Sequence, residues 1–79
     1  MHDPIQLVRC ENLHIVLRKL GSGGVRDLSA QANYFRIETQ FLQDMVDGEF
    51  IPAVFARDVE WTMGLHAGWM DESHLVSET

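Results

Sequence analysis

The chain has 79 residues, 46% of them apolar, 9% aromatic and 23% charged, with a formal net charge of -6. This is the composition of one small globular domain, which excludes a two-domain enzyme and a disordered tail. The charge is uneven: residues 1–36 sum to +2 and residues 37–79 to -8, so a polyanion can meet the first part only if the second faces away.

In chain order, Leu13, Val16, Leu17 and Leu20 fall at i, i+3, i+4 and i+7 and predict the apolar face of a first helix. Arg18 and Lys19 lie near its end, where positive charge is favourable, and Gly21-Ser22-Gly23-Gly24 stops it. Ile5, Leu7 and Val8 either extend this helix or form a separate turn. A second helix is predicted over Val25 to Ala32, with Val25, Leu28 and Ala32 inward and Asn33 at a turn.

The third helix is predicted from about Arg36 to Val46, on a stripe of Ile37, Phe41 and Met45 widened by Leu42 and Val46, and it ends at Asp47-Gly48. The fourth begins near Pro52, buries Phe55, Val59 and Met63 beside Ala56 and Thr62, and is capped by Gly64. Leu65 to Met70 is too short for an independent helix, and Trp69 is expected to fold back over the others. No segment sustains two-residue alternation. The fold class is therefore all-α, a compact domain of four to five helices over residues 5–72, with flexible termini at 1–4 and 73–79.

The single cysteine, Cys10, excludes an internal disulfide and suits a reducing compartment. His2, His14, His66 and His74 form no close ligand pair, so neither a metal nor a cofactor is expected. No run approaches the roughly 18 apolar residues that span a bilayer. His2 and Asp3 stand where a secretory leader carries positive charge, and the expected location is the cytoplasm. Catalysis is not expected. Asp58 and Glu60 sit two apart and point to different helix faces, Cys10 has no base at fixed spacing, and Ser22-Gly23-Gly24 lacks the ending of a phosphate loop.

Phe55 to Asp71 (FARDVEWTMGLHAGWMD) resembles the last part of the lambda-repressor-like, Cro-type helix-turn-helix family, in its Gly64-Leu65 step and its Gly68-Trp69-Met70-Asp71 ending. Leu28 to Gly48 resembles the helix-turn-helix itself, and the likeness covers roughly residues 11 to 72. Two registers are open. Anchoring Leu28-Ser29 on the family's Leu-Ala pair puts Asn33 at the turn. Anchoring on Gly48 puts Ala32 at the small helix position, Arg36 at the turn and polar Gln31 where Leu is usual. The basic residue usual after the closing glycine is replaced by Glu49.

The resemblance implies a small transcriptional regulator that binds double-stranded operator DNA through its third helix, as a dimer. Arg36, Thr39, Gln40 and Gln43 would meet base edges, and Lys19, Arg26 and Ser29 would hold phosphates. Phe35, Phe41, Phe50, Phe55, Trp61 and Trp69 are mostly core candidates. Trp61 lies off the main stripe, and with Phe50, Ile51 and Val54 it forms a candidate dimer patch. The alternative is an acidic domain of the same fold that has lost DNA reading and binds a partner protein. A positive strip along the third helix would favour the first reading. A negative third helix, with an apolar patch elsewhere, would favour the second.

Overall fold

The computed structural model describes residues 4–74. Four helices follow in order among these residues, α1 (Pro4–Ser22), α2 (Leu28–Tyr34), α3 (Thr39–Val46) and α4 (Ala53–Met63), and a 3₁₀ turn (Trp69–Asp71) comes after them. The domain is compact and all-helical, consistent with a generic helix-turn-helix-like fold. Pro4 opens α1 and His74 is half-buried; the rest of the expected flexible termini, residues 1–3 and 75–79, lies outside the described residues.

The upstream residues extend α1 as one helix of 19 residues. Its buried stripe is Arg9, Asn12, Leu13, Val16, Leu17 and Leu20, so two polar residues continue the apolar face by one further turn. Leu13, Val16, Leu42, Met45, Ile51, Ala56, Val59 and Met70 are almost wholly removed from water and form the centre of the core. Phe55 joins them, meeting Phe35 and Phe41 edge-on at 5.9 and 6.0 Å. Edge-to-face pairs of this kind add about 0.5 to 1.5 kcal/mol beyond area burial.

All four helices end in the same way. The residue after the last turn takes a left-handed backbone, and the amide that follows reaches back five residues. Val25 N–H donates to the Leu20 carbonyl, Ile37 to Ala32, Glu49 to Asp44 and Leu65 to Glu60, at 2.8 to 3.0 Å. The left-handed residues are Gly24, Arg36, Gly48 and Gly64. This is the Schellman arrangement, which satisfies carbonyls that a helix end leaves open. Three of the four stops carry glycine, and Arg36 at φ +62° is the exception.

That exception decides the register between α2 and α3. Arg36 occupies the turn, Ala32 sits at the small buried position, and Asn33 lies exposed within α2 instead of at the turn. Gln31, where an apolar residue is usual, is buried and donates to the Leu17 and Val25 carbonyls at 3.3 and 2.9 Å. Its amide thus satisfies backbone on α1 and in the loop before α2, which makes burial of a polar side chain tolerable.

The apolar stripe of α3 is also corrected. Leu42 and Met45 are its fully buried residues, while Phe41 is 38% exposed. Nor are Phe50 and Trp61 core residues, since they are 65% and 87% exposed.

After Gly64 the chain has only a short 3₁₀ turn to satisfy its own polar backbone, and side chains of α1 and α4 satisfy much of the rest. Glu60, 2% exposed, accepts from the amides of Gly68 (3.0 Å) and Met70 (2.7 Å) and from Arg57. Asn12 donates to the carbonyls of Trp69, Met70 and Glu72. Arg9 forks onto the Asp71 carboxylate at 2.6 and 3.2 Å, and Arg57 reaches the same carboxylate at 3.1 Å. Arg9 also donates to the Ile51 carbonyl, while Gln6 exchanges two hydrogen bonds with the Ile51 backbone.

The Arg9 hydrogen bond is the main cause that holds the Asp71 carboxyl below its usual range, against partial burial and with help from Arg57. A depressed carboxylate stabilises the fold fully above about pH 4, its unfolded value, and the contribution is lost as pH falls through the folded value. Asp71→Asn should therefore destabilise the domain by about 2 to 3 kcal/mol near neutral pH, between the effects for exposed and buried pairs. It should also flatten the acid limb of the stability profile. Urea unfolding of both proteins from about pH 7 to about pH 2 checks this; parallel profiles would remove Asp71 from that role.

Candidate functional site

Most of the candidates fall on two surfaces, the α2–turn–α3 unit and the outer face of α4. Thr39 and Gln40 are exposed in the first turn of α3, and Gln43 is half-buried one turn later. Both amides are engaged within their own helix segment. Gln40 donates to Asp44 at 2.9 Å and Gln43 to Asp47 at 3.0 Å. The groups suited to reading a base edge are therefore tied to carboxylates four residues on, and those carboxylates would face a phosphate backbone with the wrong sign.

Ser29 and Thr39 are brought together. They line a hollow of about 460 Å³ between the first turns of α2 and α3, with Asn33 and Ile37. Its charged side chains are Asp27 and Glu38, and neither Lys nor Arg lines it. Glu38 and Asp27 are also the residues that precede the two helices, and neither caps with its side chain. No basic residue occurs anywhere from Ile37 to Ala56.

The remaining cations lie elsewhere. Lys19 is exposed in the last turns of α1. Arg26 is exposed in the following loop, where its Nε–H donates to the Gly21 carbonyl at 3.4 Å. Arg36 lines a different groove, of about 530 Å³, between the turn and α4, together with Tyr34, Ile37, Asp58, Trp61 and Thr62. The four base-reading candidates are thus divided, with three on α3 and Arg36 turned into the groove beside α4.

Of the candidate dimer patch, Val54 and Trp61 are 74% and 87% exposed on α4, and Phe50 is 65% exposed in the loop before it. Val54 and Trp61 are seven residues apart, so two helical turns place them on one stripe. Ile51 is a correction. It is fully buried, its backbone pinned by Gln6 and Arg9, and it contributes nothing to this surface.

Three structural features escaped the sequence reading. Glu60 and Asp71 hold the tail, and the only signal for them was the Gly-Trp-Met-Asp ending itself. Arg9 and Asn12 fall at i-4 and i-1 from Leu13, which places them on the buried stripe. Asp58 joins Arg36 in the groove, a pairing of residues 22 apart that spacing alone does not reveal.

Cys10 is half-buried, and burial followed by the neighbouring Glu11 charge raises its thiol pKa, which disfavours the nucleophilic thiolate. Among the described residues no cluster of three His, Cys, Asp or Glu side chains has the disposition of a metal site. Among them, too, no helix is long and apolar enough to cross a membrane. Compared with family models, curated proteins and solved structures, the chain matches none.

The left-handed backbone at Arg36 costs about 1 to 2 kcal/mol for a residue with a Cβ, more than the roughly 0.4 to 1 kcal/mol that glycine's extra unfolded-state freedom costs. Arg36→Gly should therefore raise stability by about 0.5 to 1 kcal/mol, while Arg36→Val should lower it. Chemical denaturation of the two variants against the parent checks the sign, and a destabilising Arg36→Gly would show that the arginine side chain outweighs the strain.

Proposed function

We propose that this chain is a regulatory domain of helix-turn-helix type, related to the lambda-repressor-like, Cro-type pattern that its tail resembles, and that it works through a protein contact instead of reading DNA directly. The observation that carries the reading is the charge of α3. Glu38 precedes it, Asp44 lies on it, Asp47 and Glu49 follow it, and Asp27 and Glu38 line the hollow beside it with no basic partner. Binding to duplex DNA depends on cations that displace condensed counterions, and a face of this sign repels the duplex. The most exposed of the large apolar side chains are on α4 and the loop before it, and Trp61, Val54 and Phe50 have the character of a protein interface.

A second reading is an operator-binding regulator that blocks or recruits polymerase by occupancy. It is supported by the α2–turn–α3 arrangement, with Thr39 and Gln40 exposed at the start of α3 as a groove-reading helix requires. In that case Asp44 and Asp47 would release the two glutamine amides on binding.

Selection from a random duplex pool at low salt separates the two. The protein-contact reading predicts no enriched motif at protein concentrations well above about 10 micromolar, inside the range where even nonspecific binders are retained. Enrichment of a palindrome with half-sites one helical turn apart would overturn it in favour of a dimeric DNA reader.

A further inference from the structure

We propose that the outer face of α4 is a self-association surface whose occupant is a second copy of this chain, with Trp61 of each copy entering the groove beside Arg36 of the other. The proposal rests on the protein-contact reading above and names the partner.

Trp61 is a ridge between two hollows. On one side is the groove of about 530 Å³ that Tyr34, Arg36, Asp58 and Thr62 line. On the other a shallower hollow of about 360 Å³ runs along Arg57, Leu65 and Ala67. One patch therefore carries both the protruding ring and a concavity beside it, which is what an isologous contact about a two-fold axis requires. The same stripe of α4 continues through Asp58 to Val54.

The charges of the groove have the same self-complementarity. Arg36 and Asp58 are both exposed and line the same groove, yet no ion pair joins either of them to another described residue. A two-fold axis through this patch sets Arg36 of each copy against Asp58 of the other, so the pair forms twice. The Trp61 ring also meets a guanidinium in the groove, a favourable cation–π partner.

A large aromatic side chain buries about 150 to 250 Å². Two copies of Trp61, with Val54 and the 45% exposed Tyr34 of each, bring the contact toward the roughly 1,200 Å² of the smaller specific interfaces. Repulsion between two chains of charge -6 is screened beyond about 8 Å at physiological ionic strength, so it does not prevent close approach. The geometry has a further consequence. A second copy in this groove covers Arg36, so self-association removes from DNA the one cation at the helix-turn-helix turn.

Sedimentation velocity over a concentration series tests the proposal on the full chain. The parent should form a reversible dimer. Trp61→Ala removes an exposed ring and leaves the core intact, and it should weaken the dimer at least about tenfold. Arg36→Asp and Asp58→Arg should each weaken it. The double swap should restore affinity to within about threefold of the parent, and Asp tolerates the left-handed backbone at position 36.

A parent that stays monomeric up to roughly 1 mM, a dimer indifferent to Trp61→Ala, or a double swap that recovers nothing would each overturn the proposal. A monomer that also selects no DNA loses only its second-copy partner and leaves the protein-contact reading in place. A dimer that selects a palindromic operator keeps this interface and overturns that reading instead.

Discussion

The fastening of the segment after α4 by side chains of α1 and α4 is the constraint on which the architecture depends. Gly68 to Glu72, a single 3₁₀ turn and its flanking residues, is laid over the core, with Met70 fully buried beneath it. Buried backbone without partners costs about as much as lost hydrogen bonds. Glu60 accepts from two amides of this segment, Asn12 donates to three of its carbonyls, and the Arg9–Asp71–Arg57 chain of charges closes it. His74 adds a second closure, stacking on Trp69 at 4.1 Å while its ring donates to the Trp69 carbonyl. Because Glu60 must face inward for this, the rotation of α4 is fixed, and Val54, Asp58 and Trp61 are turned to the outside.

That rotation connects the fold to its surfaces. A helix whose inner stripe is Phe55, Ala56, Val59 and Glu60 has its opposite stripe free, and here that stripe carries a tryptophan. On α3 the same logic works through Leu42 and Met45, whose burial leaves Thr39, Gln40 and the acidic residues outward. The domain thus presents a polar, negative face on the helix-turn-helix side and an apolar ridge on α4, joined by the groove that holds Arg36 and Asp58. An acidic helix and an exposed aromatic ridge have opposite consequences for partners: the first repels a polyanion and the second favours a protein.

Much of the fold was legible in the sequence, because glycines mark three of the four helix ends and the Leu13–Leu20 stripe has one period. The fourth end was ambiguous because Arg36 does a glycine's work, and residue type alone favoured Asn33. The faces of α3 were ambiguous for another reason. Ile37, Phe41, Leu42, Met45 and Val46 supply apolar residues on more than one side, and packing against Phe55 and α1 selected Leu42 and Met45. Polar residues on buried positions were the least legible. Arg9, Asn12, Gln31 and Glu60 are inside because of backbone groups far away in sequence, and hydropathy patterns carry no information about those. Of the candidate surface residues only Trp61 stood apart by its spacing, and the placing of Arg36 and Asp58 along one groove came from the tertiary fold.

The central claim is that buried polar side chains, chiefly Glu60, lock the tail and thereby set which face of α4 is free. Native-state amide hydrogen exchange at Gly68 and Met70 addresses it most directly. If Glu60 holds these amides, they exchange as slowly as the core amides of α1, by the same global opening, and both become fast together in Glu60→Gln. Exchange at Gly68 and Met70 that is already near the free-chain rate in the parent, while α1 stays protected, would contradict the account and free α4 of the constraint.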